Sequence, residues 1–317
     1  MKGAIGIDVG GTKTAFGAVT PDGRIVARRT VATEPDSSFE DGLARITHET
    51  ERLLADVGWQ AGKIAGIGIG CPGPVDTERG IILSVYTLPG WSNHEFAAPL
   101  SERFRVPVRL ENDANTALLG EAFAGAARGK KSAVMLTLGT GVGGAVLLDG
   151  EIHHGANGAH PELGHIPVQP DGPECYCGIR GCYEIIAAGP AIAEAGAAIG
   201  LEGSEAVFAA AAKGDPRAQA IIGTVTAATE AAVWTLLHTY LPEIILFGGG
   251  IADGHWPLFE AAARKSLAAA VLAREEGVTI ARAALGNDAG IVGAASLVFR
   301  GAEGPEPDQL GQTPLIS

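Results

Sequence analysis

Cysteine is scarce in this sequence, and its scarcity limits the compartments in which the protein could work. Only 4 of the 317 residues are cysteine, which argues against the disulfide framework of small secreted domains. The N-terminal segment reaches an acidic residue, Asp8, too early to contain the apolar core of a signal peptide. We therefore expect a cytoplasmic protein whose thiols are reduced.

Basic residues are also few relative to acidic ones. Lysine and arginine together number 23 against 36 aspartates and glutamates, which gives a formal net charge of −13. A surface of this average charge repels the phosphate backbone of DNA or RNA. Nucleic acid is therefore not an expected partner.

Long uninterrupted apolar runs are missing as well. The two most apolar stretches, 185–201 and 221–248, contain interrupting residues such as Pro190, Glu194 and Glu230. A membrane-spanning helix needs about 20 consecutive, predominantly apolar residues. We therefore expect no membrane partner.

The chain is long enough for two domains of ordinary size, since it has 317 residues. Its C-terminal end differs in composition from the rest and is rich in glycine, proline and glutamate. Such a composition buries too little apolar surface to offset the entropy lost on ordering. Residues 302–317 are therefore predicted to be a disordered tail.

The few cysteines are concentrated beside one histidine. Four potential metal ligands fall within eighteen residues: His165, Cys175, Cys177 and Cys182. One imidazole and three thiolates form a complete tetrahedral ligand set for a structural zinc ion. Two carboxylates, Glu162 and Glu184, are interleaved with these ligands and are free to bind a hydroxyl-rich molecule. A disulfide between two of the cysteines is the main alternative.

An internal repeat organises the rest of the chain. The segment 17–25 recurs as 144–152, at an offset of 127 residues (144 − 17). In each copy an apolar strand, a glycine-rich turn, a second strand and an Asp-Gly hairpin turn follow one another. This matching order indicates a duplication, with two related lobes facing each other across a cleft.

The glycine-rich turns of the two copies are 8–12 and 139–143. Because glycine has no Cβ, such a backbone can approach a polyanion and direct successive N–H groups toward it. Each turn runs on into a strand, whereas a dinucleotide-binding motif or a P-loop opens a helix. The pair could hold a triphosphate, and simple tight hairpin turns are the alternative.

A third motif lies where a strand-like run ends at Glu111-Asn112-Asp113 and a helix-like segment follows. Asn and Asp are common helix N-caps, yet an acid at the mouth of a strand can equally project into a cleft. The residues alone leave both interpretations open.

Together these motifs resemble the ROK family of bacterial sugar kinases, repressors and unclassified open reading frames. The matching segments, in the family's order, are 8–14, 70–75, 111–115, 139–144, 162–165, the cysteine cluster with Glu184, and 248–251. The resemblance extends from residue 5 to about 297. It implies an α/β, two-lobed actin/hexokinase-like (ribonuclease H-like) fold with internal duplication. The implied domains are an N-terminal lobe 1–117 with a returning helix at about 288–300, and a C-terminal lobe 118–287 with a zinc knuckle at 165–182.

The resemblance also assigns roles to residues. Asp113 would be the catalytic base that accepts the proton of the attacking sugar hydroxyl. The sugar-binding residues would be Gly73, Asn112, Asp113, Glu162, His165 and Glu184. ATP would be bound by Asp8, Gly10, Gly11, Thr12, Lys13, Gly139, Thr140, Gly141, Gly249 and Gly250, with Asp8 helping to place Mg²⁺ through water. Structural Zn²⁺ would be held by His165, Cys175, Cys177 and Cys182, with the second nitrogen of His165 left for the sugar.

The implied activity is transfer of the γ-phosphate of ATP to the 6-hydroxyl of glucose by a homodimer. Fructose, mannose or an N-acetylhexosamine is the alternative substrate, because His160-Pro161 ahead of Glu162 resembles the fructokinase-like branch. The spacing from Cys175 to Cys182 resembles that of glucokinases and N-acetylmannosamine kinases instead. A sugar-sensing repressor is not expected, because the first strand leaves no room for a helix-turn-helix before it. A catalytically inactive sugar-binding protein is disfavoured by the presence of Asp113 and both glycine-rich turns.

Overall fold

The computed structural model describes residues 2–272 and 277–300, and the expected tail at 302–317 lies outside the described residues. The strands are β1 (Ala4–Val9), β2 (Lys13–Val19), β3 (Ile25–Ala32), β4 (Ile67–Cys71), β5 (Val75–Asp76), β6 (Ile81–Ile82), β7 (His94–Glu95), β8 (Val108–Asn112), β9 (Ala133–Leu138), β10 (Val142–Leu148), β11 (Glu151–Ile152), β12 (Ile244–Gly248) and β13 (Thr279–Arg282). The helices are α1 (Phe39–Asp56), α2 (Ala97–Phe104), α3 (Asp113–Ala124), α4 (Glu184–Ala187), α5 (Gly189–Ala197), α6 (Ser204–Ala212), α7 (Pro216–Tyr240), α8 (Gly250–Gly254), α9 (Trp256–Ala269) and α10 (Ala289–Arg300).

Two five-stranded sheets share one strand order and one sense of pairing. The first is β3-β2-β1-β4-β8 and the second is β11-β10-β9-β12-β13. In the first sheet β3, β2 and β1 pair antiparallel, and β4 and β8 run parallel to β1. In the second sheet β11, β10 and β9 pair antiparallel, and β12 and β13 run parallel to β9. The Asp-Gly turns also recur, with φ of 86° at Gly23 and 85° at Gly150, a conformation that glycine adopts without steric cost. The expected duplication is therefore confirmed.

Each sheet supports its own apolar core. Every residue of β4 and of β12 is buried, as expected for parallel strands that are covered on both faces. Helix α1 packs on the first sheet, and α7 and α9 pack together on the second. A smaller sheet, β5-β6-β7, extends the first lobe.

The last helix, α10, returns to the first sheet. It contacts β1, β2, β4 and α3 at very close range. A Cβ atom at Gly6 of β1 or at Gly68 of β4 would collide with a backbone carbonyl of α10, and a Cβ at Gly293 would collide with the carbonyl of Thr116 in α3. These glycines therefore allow the backbones of helix and sheet to approach each other more closely than side chains would permit.

Helix α3 lies between the two sheets. One side of it packs against α10, while Leu118 and Leu119 join a buried cluster with Ala133 and Met135 of β9. The domain boundaries at 117 and 287 remain a prediction, and α3 and α10 are the elements that connect the two sheets near those positions.

Among the described residues one helix, α7, is long and apolar enough to cross a membrane by length and composition alone. The core helix of a globular protein passes the same test. Residues spread along α7, among them Val225, Ala232 and Leu236, are buried in the core of the second lobe.

Candidate active site

A cavity of about 530 Å³ lies between the two sheets. Of the residues that the sequence assigned to the site, those lining the cavity are Asp8, Gly10, Asp113, Gly139, Thr140, Gly141, Glu162, Glu184 and Gly249. They come from the end of β1, the start of α3, the β9–β10 turn, the segment after β11 and the starts of α4 and α8. The cavity thus combines groups from both copies of the repeat.

Asp113 owes its place to the junction of β8 and α3. The Oδ1 atom of Asn112 caps the helix by accepting hydrogen bonds from the backbone N–H groups of Ala114 (3.0 Å) and Asn115 (3.2 Å). Asp113, the first residue of the helix, faces the cavity. The two interpretations of the motif therefore apply to different residues: Asn112 is the cap, and Asp113 projects into the cleft.

Asp8 and Asp113 approach the cavity as a pair of acids. Burial, and then the negative charge of Asp113, raise the pKa of Asp8 to about 6. Burial also raises the pKa of Asp113, against the opposing effects of a hydrogen bond from Ala114 and the nearby His160. A Cβ at Gly290 in α10 would lie 2.6 Å from Cγ of Asp8, so the last helix forms the wall behind this carboxylate. An acidic pair of this kind is suited to a cation.

The second glycine-rich turn joins antiparallel strands β9 and β10, which confirms that it is not the strand-to-helix turn of a dinucleotide fold. The backbone N–H of Gly139 donates to the carbonyl of Gly141 at 2.9 Å. Directly after the turn, the N–H of Val142 donates to Oε2 of Glu184 at 2.8 Å. A Cβ at Gly141 would lie 2.7 Å from that same oxygen. The turn therefore packs directly against the Glu184 carboxylate, which also accepts the hydrogen bond from Val142.

The first glycine-rich turn contributes less to the cavity than the sequence suggested. The N–H of Gly10 donates to the carbonyl of Lys13 at 2.9 Å, which closes a tight turn. Asp8, Val9 and Gly10 line the cavity, while Gly11, Thr12 and Lys13 do not. Thr12 and Lys13 are exposed. Gly250, at the first position of α8, also lies outside the lining, although Gly249 belongs to it.

Three of the residues assigned to the sugar, Gly73, Asn112 and His165, do not line the cavity. The imidazole of His160 lies beside the first two. Its Nε2 atom is 3.0 Å from Oε1 of Glu162 and 3.5 Å from Nδ2 of Asn112. His160 was noted in the sequence only as a departure from the family pattern and was not assigned to the site.

A second histidine of the same segment supports the motif that carries Asp113. The Nε2 atom of His154 lies 2.9 Å from Oε2 of the buried Glu111. Burial alone would raise the pKa of Glu111, but hydrogen bonds from His154, from Asn115 and from the Asn112 backbone lower it. The same contact raises the pKa of His154. This pair was not singled out in the sequence, because its partners are 43 residues apart.

The predicted zinc ligands are brought together. Their ligand atoms all lie within 4.8 Å of one another. Cys175 Sγ is 3.5 Å from Nδ1 of His165, and the Sγ atoms of Cys177 and Cys182 are 3.3 Å apart. Zinc–sulfur bonds of about 2.3 Å place tetrahedral ligands roughly 3.3–3.8 Å from one another, so these four residues fit the ion. A bonded disulfide would need about 2.05 Å, and all four cysteines of the chain are free thiols.

Other residues that line the cavity were not predicted. They include Thr137 of β9, Asp253 of α8 and the residues Gly286, Asn287 and Gly290 near the start of α10. Asp253 accepts a hydrogen bond of 2.6 Å from Nε of Arg282. The signal available in the sequence was the run Gly-Asn-Asp-Ala-Gly ahead of the last helix, a turn-forming composition.

Comparison with known proteins agrees with this architecture. The sequence pattern of the ROK family matches residues 4–300. The chain is 37% identical over 310 residues to a glucokinase from Thermotoga maritima, covering 93% of this chain and 96% of that protein. Its structure is similar to a ROK hexokinase from Thermus thermophilus, with a TM-score of 0.83, 33% identity and coverage of 95% and 99% of the two chains.

A ROK glucokinase from Streptomyces griseus, determined in complex with glucose and AMPPNP, is also similar, with a TM-score of 0.72, 31% identity and coverage of 94% and 99%. The expected two-lobed actin/hexokinase-like fold is confirmed by these relatives. Matched over nearly its whole described length in both sequence and structure, the chain belongs to the ROK family.

Proposed function

We propose that the protein is an ATP-dependent hexose kinase that transfers the γ-phosphate of ATP to the 6-hydroxyl of glucose. One observation carries the proposal: a single cavity is lined by an acid at the start of a helix, Asp113, by the glycine turn 139–141 and by the carboxylates Glu162 and Glu184. This arrangement offers a proton acceptor, a phosphate-binding backbone and hydroxyl acceptors within one cleft.

Asp113 is proposed to accept the proton of the 6-hydroxyl as that oxygen attacks the γ-phosphorus. The O–H bond breaks, the new O–P bond forms, and ADP leaves with the electrons of the old P–O bond. Because phosphoryl transfer passes through a loose transition state, alignment and charge neutralisation supply most of the rate. Burial keeps the pKa of Asp113 above the usual range of an aspartate, which makes its carboxylate a stronger base.

The sugar is proposed to lie between Asp113 and Asn112 on one side and Glu162, His165 and Glu184 on the other, with Gly73 offering its backbone. Ionised carboxylates only accept hydrogen bonds, and each sugar hydroxyl can both donate and accept. A hexose whose hydroxyls match this set would bridge the two lobes and favour the closed state.

ATP is proposed to bind with its phosphates against Gly139, Thr140, Gly141 and the Gly10 turn and with its adenosine near Gly249 and Gly250. Asp8 is suited to hold Mg²⁺ through water because it is an acid beside a second acid. Bound magnesium would neutralise charge on the phosphates during transfer. Gly11, Thr12 and Lys13 would reach a nucleotide only if the lobes close further.

Zinc is proposed as a structural ion at His165, Cys175, Cys177 and Cys182, where it would hold the segment between Glu162 and Glu184. We further propose a homodimer in the cytoplasm that has neither nucleic acid nor membrane as a partner. These last proposals rest on the family resemblance and on the composition of the chain.

The activity is tested by coupled ADP release with glucose, mannose, fructose, galactose and N-acetylglucosamine, with ³¹P NMR to locate the new phosphate ester. We expect the highest kcat/KM with glucose, well ahead of galactose. Faster turnover of fructose, or equal efficiency on glucose and galactose, would contradict the glucose assignment and favour the fructokinase alternative suggested by His160-Pro161. Absence of ADP release with every hexose would contradict the kinase assignment.

A further inference from the structure

The imidazole of His160 occupies an unexpected place, between the two halves of the proposed sugar site. It contacts the first lobe at Gly73 and Asn112 and the second lobe at Glu162. Its side chain is only 14% exposed, so the ring is held in this position by its neighbours.

The hydrogen-bonding capacity of each group fixes the direction of these contacts. Oε1 of Glu162, 3.0 Å from Nε2 of His160, belongs to a carboxylate whose pKa is lowered first of all by this same hydrogen bond. An ionised carboxylate can only accept, so Nε2 carries the proton and donates it to Oε1. One of the two oxygens of Glu162 is thereby engaged.

The same assignment leaves Asn112 with a free donor. Its Oδ1 atom is occupied by the cap of α3, which fixes the orientation of the amide. Nδ2 then faces the protonated Nε2 of His160 at 3.5 Å, a donor opposite a donor. Nδ2 can therefore be satisfied by the oxygen of a hydroxyl group.

Packing against Gly73 also holds the ring. A Cβ at Gly73 would collide with Cε1 of His160 and would lie 2.8 Å from its Nε2. Because Gly73 has no side chain, the imidazole can pack directly against the backbone of the first lobe at this position. His160 belongs to the same lobe as Glu162, and its ring thus packs on the first lobe while it holds the Glu162 carboxylate.

We propose that His160 is a positioning residue that holds Oε1 of Glu162 and presents Oε2 to a ring hydroxyl of the hexose. The His160 ring also packs against Gly73 and so holds Glu162 near Asn112 before the sugar arrives and without nucleotide. A ring hydroxyl there accepts from Nδ2 of Asn112 and donates to Oε2 of Glu162. This inference rests on the proposed hexose kinase activity.

The test compares two replacements of nearly equal volume. His160→Gln keeps an N–H donor, whereas His160→Leu keeps the bulk against Gly73 but cannot donate. Glucose binding is measured by calorimetry without nucleotide, and kcat and KM are measured with saturating ATP. His153→Ala is the matched control, since this histidine of the same segment is not among the described hydrogen-bond or ion-pair partners of Glu162 and Asn112.

For His160→Leu we expect Kd and KM for glucose to rise roughly tenfold or more, the loss expected for one hydrogen bond to a charged group, while kcat stays within about threefold. His160→Gln should remain within about threefold of the wild type in all three constants, and the control should be unchanged. Unfolding midpoints of the variants show whether the segment has kept its fold.

Wild-type glucose affinity in His160→Leu, or an equal loss of affinity in the Gln and Leu variants, would overturn the proposal. Wild-type turnover on the hexose panel tests the kinase activity separately. If another hexose is the preferred substrate, the same variants are compared on that sugar. If no hexose of the panel is phosphorylated, the proposed kinase activity is wrong. The calorimetric comparison of glucose binding still decides the role of His160.

Discussion

Oε2 of Glu184 accepts a hydrogen bond of 2.8 Å from the backbone N–H of Val142. This contact ties the first residue of α4 to the end of the glycine turn 139–141, so a proposed sugar carboxylate and a proposed phosphate-binding turn form one unit. A change on the sugar side can therefore reach the nucleotide side through a single atom.

The first prediction follows from this link. Glu184→Ala should raise KM for ATP as well as KM for the sugar, because the turn loses its support. Glu184→Gln retains an oxygen that can accept from Val142, so it should raise mainly the sugar KM and narrow the preference for glucose over galactose. Two-substrate kinetics measure both constants, with the exposed Glu194→Gln on α5 as control. An unchanged KM for ATP in the Glu184→Ala variant would show that the turn 139–141 keeps its conformation without Glu184.

Replacement of the proposed base gives the second prediction. Asp113→Asn keeps the shape of the side chain but cannot accept a proton, and we expect kcat to fall by about 10²–10⁴-fold. The Kd for glucose should change far less. Asp149→Asn in the second Asp-Gly turn is the control, since asparagine tolerates the φ of 53° found there. Near-normal turnover by Asp113→Asn would refute the assignment.

The third prediction concerns metal content. Elemental analysis should find about one zinc per chain, as expected for one four-ligand site. Cys177→Ser should lose zinc and weaken glucose binding, because the segment between Glu162 and Glu184 loses its clamp. Cys71→Ala, which removes the cysteine in β4, should keep the zinc. Full glucose affinity in a zinc-free protein would show that glucose binding does not depend on the metal.

The fourth prediction uses the pKa of about 6 at Asp8, which is above the value of 3.8 expected for an unfolded chain. Because the pKa of Asp8 is raised in the folded state, protonated Asp8 contributes to the free energy of unfolding. This contribution is fully present below about pH 4 and is lost as the pH rises through 6. Asp8→Asn should therefore match the wild type at pH 4 and exceed it by about 1–3 kcal/mol at pH 8 in the absence of magnesium and nucleotide.

Urea unfolding at the two pH values measures this difference. Activity should fall in the same variant, because the proposed magnesium contact is removed. Asp171→Asn, an exposed carboxylate on the zinc-knuckle segment, serves as the control. A stability difference that does not change with pH would show that Asp8 is not the titrating group.

Local patterns in the sequence were sufficient for several features of the fold and site. The zinc ligands lie within one short segment, the strands of each repeat form neighbouring hairpins, and Asp113 follows directly from the end of β8. Each of these depends on contacts between residues that are close in the chain. Spacing and periodicity report such contacts directly.

Features that depend on distant contacts were missed or misplaced. The partners of His160 include Asn112, 48 residues earlier, and Gly73. Trp91, which lies between β6 and β7, is 1% exposed and packs against Gly42 and Phe96. A sequence pattern shows that a side chain needs a partner, but the tertiary fold decides which partner it meets.

The close packing of α10 on the first sheet also has a consequence for folding during synthesis on the ribosome. The face of that sheet at Gly6 and Gly68 is covered by residues 289–300, which are synthesised long after β1 and β4. This face of the first sheet therefore stays uncovered until α10 has been synthesised. Translation that stops before α10 would leave an exposed apolar surface of the kind that chaperones bind.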